Sequence, residues 1–133
     1  MNNDHKQMAQ QAIEQLIEAF AHHQTERYFE CFHPDATFMF YTVAGRVSSR
    51  EAYRKYWHEW EQQWGFQVLS CQSTHPHYQY LDDMVIFTHQ VQTQIQTHEG
   101  TQSLKEQETI VMQCQSDERW LCIHEHLSPA ASN

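Results

Sequence analysis

Between Met84 and Thr97 the side chains alternate without a break: Val85, Phe87, His89, Val91, Thr93 and Ile95 fall on one face, and Thr88, Gln90, Gln92, Gln94 and Gln96 on the other. A repeat of two is the side-chain period of a strand, and a helix with 3.6 residues per turn cannot use it. The stretch therefore commits the chain to a long strand with one face toward a core and the other toward water. Residues 101–115 repeat the pattern, with Leu104, Glu106, Glu108, Ile110, Met112 and Cys114 on the apolar face. Trp120-Leu121-Cys122-Ile123-His124-Glu125-His126-Leu127-Ser128 reads as a further strand with polar groups gathered at one end. Residues 66–80 begin as a strand and meet His75-Pro76-His77, where proline predicts a bulge or an edge position. Asp82-Asp83, Glu99-Gly100 and Asp117-Glu118 supply the turns, with Glu99-Gly100 a hairpin signal.

The first half has the other period. Over residues 4–23, Met8, Ala9, Ala12, Ile13, Leu16, Ile17, Ala19 and Phe20 recur every three or four positions, the pattern of an amphipathic helix. Thr25 is placed to cap a second, shorter helix carrying Tyr28, Phe29 and Phe32 inward, with Pro34 stopping it. Residues 36–42 are dense in aromatic and apolar groups and predict a short strand, followed by a turn at Gly45 and a brief edge strand over residues 46–48. Ser48 or Ser49 caps a third helix over residues 50–64, with Glu51 in its first turn, where the helix dipole favours a negative charge. Tyr53, Tyr56, Trp57, Trp60 and Trp64 make one face of that helix an aromatic stripe. The stripe packs on a sheet, and part of it is suited to roof a ligand cavity, since such cavities are largely aromatic.

Three helices with one short β element among them, then four long strands, predict an α+β fold: a curved, mixed, mainly antiparallel sheet with helices on its concave face. The 133 residues contain no linker-like stretch, so a single domain over 1–133 is expected. A mean hydropathy of -0.77 points toward disorder. The 13% of aromatic residues opposes it. With 17 acidic against 8 basic residues the net charge is -9, which disfavours nucleic acid and anionic membrane surfaces as partners. No apolar run reaches signal-peptide or membrane-span length, so a cytoplasmic protein is expected. Cys31, Cys71, Cys114 and Cys122 form no CxxC unit and read as reduced, packed thiols.

Phe32-His33-Pro34-Asp35-Ala36-Thr37-Phe38, Glu108-Thr109-Ile110-Val111 and the ending Trp120-x-x-Ile123-His124-x-His126-x-Ser128 together resemble the nuclear transport factor 2-like superfamily. Within it the SnoaL-like group and the association domain of calcium/calmodulin-dependent protein kinase II are the nearest in pattern. The resemblance implies a cone-shaped α+β barrel, a pocket at its wide end and a homodimer formed through the sheet. It implies no one reaction, because function lives in the site and not in the fold. Aligned on Asp35-Ala36-Thr37, the ketosteroid isomerase-like branch places its catalytic Asp at Phe40 and its oxyanion-donating Tyr at Leu16. Neither side chain moves a proton, so steroid isomerase chemistry by that route is not expected. The arginines of the kinase hub pocket fall at Val91, Ile110 and Leu127, all aliphatic here, so a hub-like carboxylate ligand is not expected either.

The same matching turns Val91, Ile110 and Leu127 toward the cavity, in agreement with the apolar parity of the strands. On that face the polar intruders are His89, Glu106, Glu108 and Glu125. Two-residue turns at Glu99-Gly100 and Asp117-Glu118 would set His89 opposite Ile110 and Ile110 opposite Glu125, with Glu108 diagonal to both polar groups. An imidazole and two carboxylates in one patch form a candidate acid/base group, His89, Glu108 and Glu125. The ordinary reading is structural, with the carboxylates paired to Arg50, Arg54 or Lys55. The expected lining of the ligand cavity is Phe38, Phe40, Tyr53, Trp57, Trp60, Phe87, His89, Val91, Glu108, Ile110, Glu125 and Leu127. His124 and His126 would share the opposite face with Trp120 and Cys122 and pack across a dimer. A metal grip by the two histidines lacks an identifiable third ligand. His22-His23 and His75-Pro76-His77 read as solvated loop residues. No P-loop, GxSxG, Cys/His dyad or GxGxxG is present, and no cofactor or metal is expected.

The expected function is binding of a small hydrophobic molecule. The alternatives are a cofactor-independent isomerase, hydratase or hydrolase using His89 with Glu108 or Glu125, and a module for oligomerisation.

Overall fold

A computed structural model describes residues 1–131 of the chain. Helix α1 spans Asn3–Ala21 and α2 spans Thr25–Glu30. Strand β1 (Phe32–Phe40), helix α3 (Arg50–Trp64) and strands β2 (Gln67–Leu81), β3 (Met84–Thr97), β4 (Gly100–Cys114) and β5 (Trp120–Pro129) follow. The five strands form one sheet in the order β1-β5-β4-β3-β2. It is antiparallel except where β1 runs parallel to β5. This is the α+β architecture that the two sequence periods predict, with the sheet curved and not closed. Among the described residues no helix is long and apolar enough to cross a membrane.

The helices meet the sheet through the residues that their spacing selects. Ala9, Ile13, Leu16 and Ala19 of α1 are buried, as are Tyr53 and Trp57 of α3. Around them Phe29, Phe32, Phe38 and Tyr53 meet largely edge-on, at centroid distances of 4.7 to 6.0 Å. That geometry suits aromatic quadrupoles. Full burial of a side chain such as Phe29 contributes on the order of 1.5–3 kcal/mol. Ser49 caps α3 by accepting from the Ala52 N–H.

Several local expectations are corrected. Thr25 does not cap α2 but begins it, and its hydroxyl instead accepts from the Trp57 indole at 3.1 Å. Pro34 lies inside β1, which starts earlier than predicted and ends at Phe40. The brief strand over residues 46–48 reduces to a single bridge between Phe38 and Val47. His23 is not solvated: its ring stacks on Trp57, accepts from the Val68 N–H and bonds Glu61 at 2.8 Å, so it ties α1, α3 and β2 together.

Register departs from the prediction at both hairpins. The β3–β4 turn is His98-Glu99, with Thr97 paired to Gly100 and the positive φ of 114° on Gly100. His89 therefore faces Glu108, and Ile110 faces Phe87 instead of His89. The two-residue slip keeps every side chain on its face, because the strand period is two. The β4–β5 loop is longer than a two-residue turn, and a bulge at Ile123 then restores the pairing of Ile110 with Glu125. That bulge also reverses parity along β5. Trp120 and Cys122 are buried on the core side with Met112, whereas His124 and His126 point to the outer face. The four residues thus do not form one outer surface. On β2 a shift between Thr74 and His77, with His75 at φ 54°, marks the predicted bulge on an edge strand.

Candidate functional site

The inner faces of α1 and α3 stand off the sheet around a cavity of about 700 Å³. Its helical wall is apolar and aromatic: Leu16 and Phe20 from α1, and Tyr53, Trp57 and Trp60 from α3. Its floor is the inward face of the sheet, where strand parity delivers His89, Val91, Glu106, Glu108, Glu125 and Leu127. Residues 97–99 and Gln102 of the β3–β4 hairpin line it near Trp64. That end is anchored, since the His98 N–H donates to the Trp64 carbonyl at 2.8 Å.

His89 is the best-held polar group. It is 3% exposed, its Nε2 lies 2.8 Å from Oε1 of Glu108, and its Nδ1 lies 2.6 Å from Oγ of Ser73. Both ring nitrogens are thereby committed, which fixes the ring plane. If Nε2–H donates to Glu108, Nδ1 accepts from the Ser73 hydroxyl, and no polar atom of the imidazole is left over. The Phe87 ring packs beside it, with centroids 4.5 Å apart.

Glu125 is the opposite case. It is 1% exposed, and its Oε1 is buried without a hydrogen-bond partner. Burial, reinforced by the nearby Glu108 charge, holds its carboxyl well above the usual range. Above it, the hydroxyls of Tyr28 and Tyr53 bond each other at 2.8 Å. Burial and then the Glu125 charge push both phenols up. Glu106 accepts from the Tyr41 hydroxyl at 2.6 Å. Its pKa is raised by burial, the Tyr41 bond acts the other way, and the Glu108 charge adds to the rise.

The arginines offered as partners for these carboxylates are engaged elsewhere. Arg54 bonds Glu26 at 3.0 and 3.2 Å, and Arg50 donates to the Phe32 carbonyl. Of the expected lining residues, Phe40, Tyr53, Trp57, Trp60, His89, Val91, Glu108, Glu125 and Leu127 border the cavity. Phe38, Phe87 and Ile110 do not; they are buried in the core beside it. Leu16 and Phe40, which the sequence resemblance matches to the isomerase Tyr and Asp, both line the cavity as inert groups.

Three participants escape the sequence reading. Ser73 reaches His89 across the β2–β3 ladder, and the bulge on β2 hides its register. Tyr28 reaches the cavity from the short helix α2, where its inward position alone was a signal. Tyr41 lies just beyond β1, and only the parallel pairing of β1 with β5 carries it toward Glu106. Among the described residues no three His, Cys, Asp or Glu side chains converge in a way suited to a metal ion.

The family model of a SnoaL-like domain matches residues 9–132. The fold is similar to that of a ketosteroid isomerase-like protein from Erwinia carotovora atroseptica, with a TM-score of 0.80 at 10% identity over 98% of this chain and 100% of that one. It is equally similar to a nuclear transport factor 2-like superfamily protein from Salmonella enterica, at 12% identity over 97% and 92% of the two chains and a TM-score of 0.80. A calcium/calmodulin-dependent protein kinase II association-domain-like protein from Xanthomonas campestris matches at a TM-score of 0.74 and 16% identity, over 91% and 84%. None of the proteins of curated function matches this sequence.

Proposed function

The chain belongs to the SnoaL-like domain family of the nuclear transport factor 2-like fold, and from that premise we propose that it is a cytoplasmic protein whose cavity binds a small, largely apolar organic molecule. The observation that carries the reading is the cavity itself: about 700 Å³ between an aromatic helical wall and a sheet face bearing a few polar groups. Ligand sites are commonly of this size and composition, with sparse polar atoms that orient the ligand. The four cysteines are free thiols, which suits a reducing compartment.

The test uses the neutral aromatic dye N-phenyl-1-naphthylamine, whose emission rises and shifts to the blue in apolar sites. Saturable binding at about one dye per chain is expected, and Leu127→Trp, which fills the floor of the cavity, should abolish it while the variant keeps a cooperative melt. Dye binding unchanged in that variant, or no saturable binding at all, contradicts the reading.

A second reading is favoured by the pairing of His89 with Glu108 beside Glu125, whose buried carboxyl is held well above the usual range. There Glu108, oriented by His89, takes a proton from an apolar substrate, and the Glu125 carboxyl donates one to the developing negative charge. Glu108→Gln should then abolish turnover of any substrate found while binding survives. A third role, association through the outer face of the sheet, now rests on His124 and His126 without Trp120 and Cys122.

A further inference from the structure

The charges around the cavity carry more than its shape. Glu99, Glu106, Glu108 and Glu125 line it, and among the described residues no lysine or arginine does. Three of the four sit together on the floor. Glu106 and Glu108 stand two apart on one face of β4, and Glu125 faces Ile110, diagonal to Glu108. The deep imidazole is not their countercharge in reserve, because His89 already gives both ring nitrogens to Glu108 and Ser73. His98 lies out at the hairpin, over Gly65. Glu125, almost fully buried, keeps an oxygen with no partner on the cavity side of the sheet. Opposite the carboxylates stand the rings of Tyr53, Trp57 and Trp60.

From this arrangement we propose that the cavity selects a cationic amphiphile, an aromatic or aliphatic body carrying a protonated amine, with the ammonium seated against Glu125 and Glu108 and the body against the α3 rings. The inference rests on the cavity being a ligand site, as proposed above. An ammonium offers three donors and a positive charge, so one contact supplies the orphaned oxygen of Glu125, favours the ionised form of that carboxyl and brings the Glu108 carboxylate a countercharge. Aromatic faces attract the same charge through their quadrupoles. An anionic ligand meets the floor carboxylates with no lysine or arginine among the described lining residues to offset them, in a site of low dielectric where repulsion is least screened. A neutral ligand can reach the Glu125 oxygen but brings no countercharge to the floor.

Three probes with one hydrophobic body separate these cases: 4-phenylbutylamine, 4-phenylbutanol and 4-phenylbutyrate, titrated by calorimetry at about pH 7.5 and low salt. The amine should bind at least about tenfold tighter than the alcohol, and the carboxylate should show no saturable binding. Raising salt from about 50 to about 500 mM should weaken the amine and leave the alcohol unmoved. Glu125→Gln should remove most of the amine's advantage over the alcohol. Glu108→Gln gives the same comparison should that variant not fold. Alcohol or carboxylate binding as tight as the amine overturns the inference. So does an amine advantage that survives both substitutions. If no member of the series binds while N-phenyl-1-naphthylamine does, the amine selectivity falls and the cavity reading stands. If the dye fails as well, both fall.

Discussion

Nε2 of His89 and Oε1 of Glu108 lie 2.8 Å apart on directly opposed residues of β3 and β4, with the His89 side chain wholly buried. The imidazole is out of reach of solvent and the carboxylate is half-buried at the cavity, so each satisfies the other and their energies are not separable.

Removing either partner alone orphans the other. His89→Leu and Glu108→Leu should each destabilise the fold by about 1–3 kcal/mol in urea melts. The double variant should cost less than the sum, with a coupling of about 0.5–3 kcal/mol. Additivity within about 0.5 kcal/mol would show that the pair is a contact without consequence.

Glu125 makes stability depend on pH in a defined direction. Its folded pKa is raised, first by burial and then by Glu108, so the folded state holds a proton that the unfolded chain releases above about pH 4.3. The stabilisation from that proton is complete below this value and is lost as pH rises toward and through the folded pKa. Glu106, raised by burial, contributes with the same sign. Glu61 and Asp117 are lowered and contribute with the opposite sign, losing stability as pH falls. Glu125→Gln cannot titrate, so its stability relative to the parent should improve as pH rises above about 4.3. A difference that does not change with pH refutes the assignment.

Gly65 ends α3 with φ at 64°, and a Cβ there would lie 2.6 Å from the His98 ring. Gly65→Ala should cost about 1–3 kcal/mol, part from the left-handed backbone and part from displacing the imidazole. Gly45, at φ 76° with nothing within 4 Å of its virtual Cβ, supplies the backbone part alone. Thermal melts should therefore show a larger loss for Gly65→Ala than for Gly45→Ala. His98→Ala should recover the excess, and equal losses would mean that the His98 contact adds nothing.

The outer face of β5 presents His124 and His126 between Thr37 and Met39 on β1 and Thr109 and Val111 on β4. If this face joins two copies, light scattering at micromolar concentration should give about 32 kDa, twice the 15.9 kDa chain. Val111→Glu with His126→Glu should return the mass to that of a monomer. A monomeric parent counts against association through the sheet.

How much of this was legible in the sequence follows from what is local. The face on which a strand residue lies depends only on the period of the strand, so alternation placed His89, Val91, Glu106 and Glu108 on the inner side of β3 and β4, and helical spacing placed Tyr53 and Trp57 inward. Their residue types followed directly: an apolar wall, an imidazole and a set of carboxylates. Which of those groups touch is not local. It depended on a turn set one position before the expected Glu99-Gly100, held by the bond of His98 to Trp64 at the far end of α3. That slip paired His89 with Glu108. A bulge at Ile123 left Glu125 inward and turned Cys122 inward as well, which strict alternation cannot anticipate. The parallel docking of β1 on β5 brought Tyr41 to Glu106, and the bulged edge strand brought Ser73 to His89. The sequence by itself thus determined the faces and the chemistry they carry, because side-chain direction repeats with the backbone. Only the tertiary structure decided the partners, because register is settled by contacts between residues far apart in the chain.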